Sequence, residues 1–409
     1  MPALVQSLLE TDLYKLTMQQ AMLHQMPANT ARYVFACRNT PAFPLAQLAK
    51  EVNAELDALC TLRFTPEELA FVRALRFMKP DYIEFLRLFQ LNRDFIQVRT
   101  EGERLVIEAE GPQLHVMPFE LYVLPIVQAL YQRRLSTPDT LPEMRRRMHA
   151  MIDRAQERLA AMARSPQPPR HPFSLFDFGL RRRYSGSWQQ EVLQTLRERL
   201  PDQFKGTSNL HLARQLGLTP IGTMAHEWLQ TFQAMPGVQL RQSLVAALEA
   251  WVREYRGDLG IALTDVVTTP AFLRDFDLYF AKLFDGLRHD SGDPLAWAAE
   301  VDAHYQRLGI DPRTKRKVFS DGLRLDTTAL DIYEALCWRD DQVVGFGIGT
   351  ALTNDSPHGA LNIVMKLLSC NGLPTAKLSD AEGKTVCEDA RFLRYLRHTF
   401  GVDSEPTPA

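Results

Sequence analysis

At 409 residues the chain is too long for one small domain and has the length for two or three cores. A hydrophobic share of 45% with 23% charged residues excludes a disordered or fibrous chain. A formal net charge of -2 excludes bulk electrostatic capture of nucleic acid, so any anionic ligand must be held by local Arg and Lys.

The N-terminal dozen residues carry Glu10 and Asp12 and lack a basic start followed by an apolar run, which argues against a signal peptide. Five scattered cysteines (Cys37, Cys60, Cys337, Cys370, Cys387) form no CxxC pair and read as reduced thiols. The longest apolar stretch, 121–130, is shorter than a bilayer span. A cytoplasmic protein without membrane or nucleic-acid partners is expected.

Residues 1–165 mix helical patterns with strand candidates at 32–37 and 104–108 and predict an α/β domain with long helices. A charged helix over 139–164 should end at the segment 165–172, where four prolines in eight residues stop it. Beyond it, short apolar pieces recur between helical stretches at 174–178, 220–224, 260–264, 317–321, 343–348 and 361–366. That alternation predicts parallel βα units over 166–385, as an open sheet or a closed barrel, followed by a C-terminal helix and tail over 386–409. The end of that tail, 404–409, is expected to be disordered. In both parallel architectures chemistry sits at the C-terminal strand ends, where Asp177, Thr223, Thr264, Asp265, Ser320 and Asp321 fall.

Five segments carry candidate chemistry. FDFGLRRR (176–183) sets Phe178 near three arginines, a charge run that reads either as solvated surface or as a ring-stacking and anion-pairing site. His226 in GTMAHEW lacks any metal-binding spacing and reads as a structural or a catalytic histidine. LRHDSGD (287–293) offers Arg288, Asp290 and Asp293 for phosphate, sugar hydroxyls or magnesium, or forms a self-stabilised turn. GFGIGT (345–350) and SDGL (320–323) are phosphate-facing loops or tight turns.

In order, TDLYKLTM (11–18), FDFGLRRR, KGTSN (205–209), GTMAHEW, LTD (263–265), GLRHDSGD, FSDGL (319–323) and GFGIGT resemble the nicotinate phosphoribosyltransferases of bacterial type, and LNIVMK and AKLSD extend the match. The resemblance implies an N-terminal α/β domain joined to an irregular TIM-like α/β barrel, the type II phosphoribosyltransferase fold. It implies a homodimer with shared active sites, phosphoribosyl pyrophosphate and ATP as co-substrates, and Mg2+ with ligands not fixed by the motifs. The activity implied is ATP-coupled formation of nicotinate mononucleotide in NAD salvage, with nicotinamide or quinolinate as alternative substrates. A metal-dependent hydrolase using Asp265, Asp290 and Asp293, or a catalytically silent ligand-binding relative, are the rivals outside that class.

By the same resemblance His226 is the phosphorylated histidine, oriented by Asp265. Phe178 stacks on the pyridine, with Tyr14 opposite it from the other subunit and Arg181 beside it. Arg38 binds pyrophosphate across the dimer, Arg288 and Asp290 lie near ribose and phosphates, and Ser320, Asp321, Gly322, Gly349 and Thr350 form the 5'-phosphate loops. Thr207 and Ser208 belong to the KGT motif, where nicotinamide-using relatives carry aspartate at the position of Ser208. Two like charges 4 Å apart at an effective dielectric of 20 repel by about 4 kcal/mol, so a serine there suits an anionic pyridine.

Overall fold

The computed structural model describes residues 3–338, 341–381 and 383–402, so the tail 404–409 lies outside the described residues. Two sheets organise the chain. The first is antiparallel and five-stranded, in the order β11-β10-β1-β3-β2. Its members are β1 (Thr30–Cys37), β2 (Ile96–Glu101), β3 (Arg104–Pro112), β10 (Ile363–Cys370) and β11 (Leu373–Pro374). The second is parallel and six-stranded, in the order β5-β4-β9-β8-β7-β6. It comprises β4 (Leu175–Asp177), β5 (Phe204–Thr207), β6 (Ile261–Leu263), β7 (Gly286–His289), β8 (Arg316–Phe319) and β9 (Val343–Ile348).

Two of the expected parallel units take other forms. Residues 361–366 lead into β10, which runs antiparallel to β1 from Ile363 opposite Cys37 to Cys370 opposite Ala31. The late chain thus returns to the N-terminal sheet. Residues 220–224 form no strand, yet they fill the gap between the two edges of the parallel sheet. Ile221 N-H donates to the Thr207 carbonyl on β5, and Thr223 Oγ1 donates to the Ile261 carbonyl on β6 at 2.8 Å. The parallel sheet therefore curls into a barrel whose last seam is irregular backbone. Two of its strands, β5 and β7, are absent from the sequence reading, because FKGT and GLRH each contain a charge and a glycine.

Helices pack around both sheets, and their ends follow local chemistry. Thr65 and Glu68 form a reciprocal capping box at the helix Pro66–Arg73. Asp293 accepts from Ala296 N-H at the start of Pro294–Arg307, whose first residue is a proline. The charged helix Thr140–Ala163 buries Met144, Met148, Met151, Ile152 and Ala155 along one stripe and ends before the prolines, as expected. The helical run Gln113–Leu135 is long and apolar enough to cross a membrane, contrary to the reading of 121–130 as too short. Its most apolar window is instead almost wholly buried inside the protein, as a central core helix.

Candidate active site

The parallel strands end at a cleft of about 490 Å³, roofed by β1, β10 and the start of the helix Leu13–Gln25. It is lined by the expected Tyr14, Arg38, Phe178, Arg181, Ser208, His226, Arg288, Asp290, Ser320, Asp321, Gly322, Gly349 and Thr350. Thr207 and Asp265 stand behind this lining. Tyr14 and Arg38, which the resemblance assigns to the site of a second subunit, border the cleft of their own chain.

Phe178 owes its position to glycine. A Cβ on Gly347 would stand 2.2 Å from Phe178 Cδ2 and Cε2, and one on Gly345 would stand 2.6 Å from Phe176 Cε2. The two glycines of β9 therefore make room for aromatic rings, and of the three alternate glycines only Gly349, just past the strand, faces the cleft with Thr350. Gly322 has φ +62, a left-handed turn that lets Asp321 and Leu323 both border the cavity.

The arginine run 181–183 is not a solvated face. Arg181 and Arg182 line the cleft, Arg182 donating to the Ile363 carbonyl at 3.0 Å, and buried Arg183 pairs with Glu10. Burial, with Arg181 and Arg38 nearby, pushes the Arg182 guanidinium down to about 10. Sequence reasoning passed over Asp12, Arg324, Lys366, Lys377 and Lys384, all of which border the same cavity. Burial brings Lys366 down to about 8, with Arg181, Lys377 and Arg38 adding to the effect against Glu120. Lys366 and Lys377 lay inside the matching segments LNIVMK and AKLSD, but nothing in those patterns marked them as inward-facing, and Lys384 lay beyond both.

His226 opens the helix His226–Thr231. Its Nε2 lies 2.8 Å from Asp265 Oδ1 and 3.6 Å from Asp290 Oδ2, while Nδ1 has no protein partner among the described residues. With Asp265 accepting from Nε2-H, the lone pair resides on Nδ1. Burial, assisted by Lys377, lowers the His226 pKa, so the neutral imidazole predominates at pH 7. Burial alone would raise Asp265, but His226 and Lys377 hold it well below the usual carboxylate range. Asp265 Oδ2 also accepts from Lys377 Nζ at 2.9 Å and Ser291 Oγ at 2.7 Å.

His226, Asp265 and Asp290 bring one potential ligand atom each within 4.8 Å of one another. Every Asp265 oxygen and the His226 Nε2 are already hydrogen-bonded, so these groups make an orienting network rather than a metal cage. Asp293 caps a helix and is no ligand either, which removes the basis for the hydrolase reading. Asp177, Thr223 and Thr264, grouped with the candidates for chemistry, are structural. Asp177 accepts from Thr207 Oγ1, Gln189 Nε2 and Gly179 N-H at 2.7, 2.8 and 2.9 Å. Thr207 is spent on that bond, and Thr264 pairs with Thr269 and Trp297.

Around Ser208 and Arg181 the charges are opposed. Ser208 Oγ donates to Asp12 Oδ1 at 2.6 Å. Arg181 stands 3.5 Å from Glu120, and the buried Arg288 Nε has no hydrogen-bond partner among the described residues. An unpaired guanidinium N-H bordering a cleft suits an anionic ligand. In all, eight Lys and Arg side chains and three Asp line the cavity, a composition fitted to phosphate and carboxylate groups.

Two family models match the chain: the nicotinate phosphoribosyltransferase family over residues 173–404 and its N-terminal domain over 9–128. A nicotinate phosphoribosyltransferase of Herminiimonas arsenicoxydans is 55% identical over 400 residues, 98% of each chain. One of Neisseria gonorrhoeae is 54% identical over the whole of both chains. Among solved structures, a Vibrio cholerae nicotinate phosphoribosyltransferase superposes with TM-score 0.90 at 35% identity, covering 99% of this chain and 95% of its own. The Porphyromonas gingivalis enzyme gives 0.87 at 32% identity, covering 97% and 100%.

Proposed function

This chain belongs to the nicotinate phosphoribosyltransferase family, and from that premise we propose how its cleft transfers phosphoribose from phosphoribosyl pyrophosphate to nicotinate, forming nicotinate mononucleotide and pyrophosphate with ATP hydrolysis in NAD salvage. The single observation that carries the reading is the convergence of Phe178, Arg181, His226 and a cluster of cations on one cavity at the strand ends. Relatives that match over nearly their full length carry the nicotinate name, which disfavours nicotinamide or quinolinate as the substrate.

Phe178 stacks on the pyridine, Tyr14 flanks it, and Arg181 faces its carboxylate. Ser320, Asp321, Gly322, Gly349 and Thr350 receive the 5'-phosphate, while Arg288 and Asp290 address the ribose and the departing pyrophosphate, with Arg38 nearby. The pyridine nitrogen has its own lone pair, so no general base is required, and positioning and charge neutralisation dominate. His226 Nδ1, with its lone pair free, takes the phosphoryl group from ATP. Asp265 fixes the ring and stabilises it as charge develops.

Asp290 and Asp321 have the chemistry to share Mg2+ with substrate phosphates, since both border the cleft and a magnesium ion is commonly held by one or two carboxylates. Bound there, the ion would offset charge on the pyrophosphate leaving group. A homodimer and a cytoplasmic location complete the proposal, the latter in keeping with five unpaired cysteines. The test is direct. Purified protein with phosphoribosyl pyrophosphate and ATP should convert nicotinate in strong preference to nicotinamide and quinolinate, and a preference for either alternative pyridine contradicts the reading.

A further inference from the structure

The pyridine-side wall of the cleft contains a carboxylate that the proposed substrate, itself an anion, has to meet. Asp12 precedes the helix Leu13–Gln25, is 2% exposed, and borders the cavity beside Tyr14, Phe178, Arg181 and Ser208. Its backbone is pinned by a bridge to Asn209, and Leu13 N-H donates to the Ser208 carbonyl at 2.9 Å. Asp12 is therefore held against the serine by backbone on both sides.

A proton count decides what this pair can offer. With Asp12 ionised, the pair has one hydroxyl proton, and it is used internally, from Ser208 Oγ to Asp12 Oδ1 at 2.6 Å. What faces outward is then only acceptor oxygen and negative charge, hostile to a pyridine carboxylate. With one more proton on the pair, the internal bond persists and one donor is left to point outward. Ser208 alone does not favour an anion; the protonated pair does.

We propose that nicotinate binding is linked to uptake of one proton by the Asp12–Ser208 pair, which makes Asp12 a specificity-determining residue of the pyridine pocket. The proton comes from solvent as nicotinate binds and returns when the nucleotide leaves. Four charged or titratable groups face Asp12: Arg181 opposes its protonation, Asp177 and Glu120 favour it, and Tyr14, its phenol pushed up by burial, stays neutral. Burial outweighs Arg181 and the Ser208 bond and brings the free Asp12 up to about 6, so the added cost of protonation near neutrality is small. A bound anion raises it further.

The inference rests on nicotinate being the substrate, and the experiment separates the two. Steady-state kcat/KM for nicotinate is measured from about pH 5.5 to 8.5 at saturating phosphoribosyl pyrophosphate and ATP, for the native enzyme and Asp12→Asn. Throughout that range the nicotinate carboxylate is ionised. Absence of turnover of nicotinate by the native enzyme refutes the substrate reading. Given turnover, the native value should fall up to about tenfold per pH unit above about pH 6 through a rise in KM. In Asp12→Asn, whose amide donates at every pH, that component should vanish. A native KM that is flat with pH, or the same slope in Asp12→Asn, overturns the proposal. Ser208→Ala supplies a second check that does not depend on Asp12→Asn folding. Loss of the hydroxyl donor raises the Asp12 midpoint, so the break should move to higher pH, and an unmoved break counts against the proposal.

Discussion

Lys15 is enclosed between two carboxylates, lying 2.8 Å from Glu120 and in contact with Glu227. Glu227 is the neighbour of His226, and Glu120 faces Arg181, so one buried ammonium ties the histidine helix to the cleft-lining guanidinium of Arg181. Burial alone would raise Glu120, but Lys15 and Arg181 hold it down to about 2. Removing the ammonium leaves Glu227 without its cation and Glu120 with Arg181 alone. Lys15→Met should therefore lower the unfolding free energy by about 3–5 kcal/mol, read by urea denaturation. A loss below about 1 kcal/mol would show that the pair is not held as described. Ser208→Asp would place a second carboxylate beside Asp12 and should weaken nicotinate use by at least tenfold relative to nicotinamide in competition kinetics, an unchanged preference contradicting it. At this scale the sequence identified Ser208 but not its partner, because Asp12 lies 196 positions away. A serine read alone appears as a donor to ligand. Only the fold reveals that its proton is already engaged.

Among the elements, β9 shows how one pattern serves two purposes. GFGIG was legible as an apolar strand with special backbone needs, yet periodicity could not separate room for a ring from room for a phosphate. The structure divides them, with Gly345 and Gly347 accommodating Phe176 and Phe178 and Gly349 reaching the cleft. Gly347→Ala should displace the Phe178 ring and reduce kcat/KM for nicotinate about 100-fold, while KM for phosphoribosyl pyrophosphate changes little. Equal losses for both substrates would mean that the strand, not the ring, was disturbed. The misread pieces share a cause as well. Residues 220–224 carry an apolar run without ladder partners on both sides, and β5 and β7 have partners without the apolar run. Short strands inside a barrel are specified by their neighbours more than by their own residues.

Over the whole molecule, the cleft is assembled from both ends of the chain. Asp12, Tyr14 and Arg38 come from the N-terminal end, and Lys366, Lys377 and Lys384 from near the C-terminal end, the latter group carried back by β10 pairing with β1. Barrel strands supply the middle. The division into an N-terminal α/β region and parallel βα units was legible from texture. The return of β10 was not, since an apolar strand carries no label for its sheet. That return is what sets Lys366 and Lys377 near Arg181 and His226. The positions proposed for the pyridine, the phosphates and the phosphorylated histidine thus share one electrostatic environment, and phosphorylation of His226 would add about two negative charges to it. The most direct measurement of that coupling follows nicotinate mononucleotide formation and ATP hydrolysis together in the native enzyme and in His226→Asn. ATP hydrolysis and phosphoenzyme should disappear in the variant while ATP-independent transfer persists at high substrate. Retained ATP hydrolysis that still accelerates transfer in His226→Asn would contradict the account.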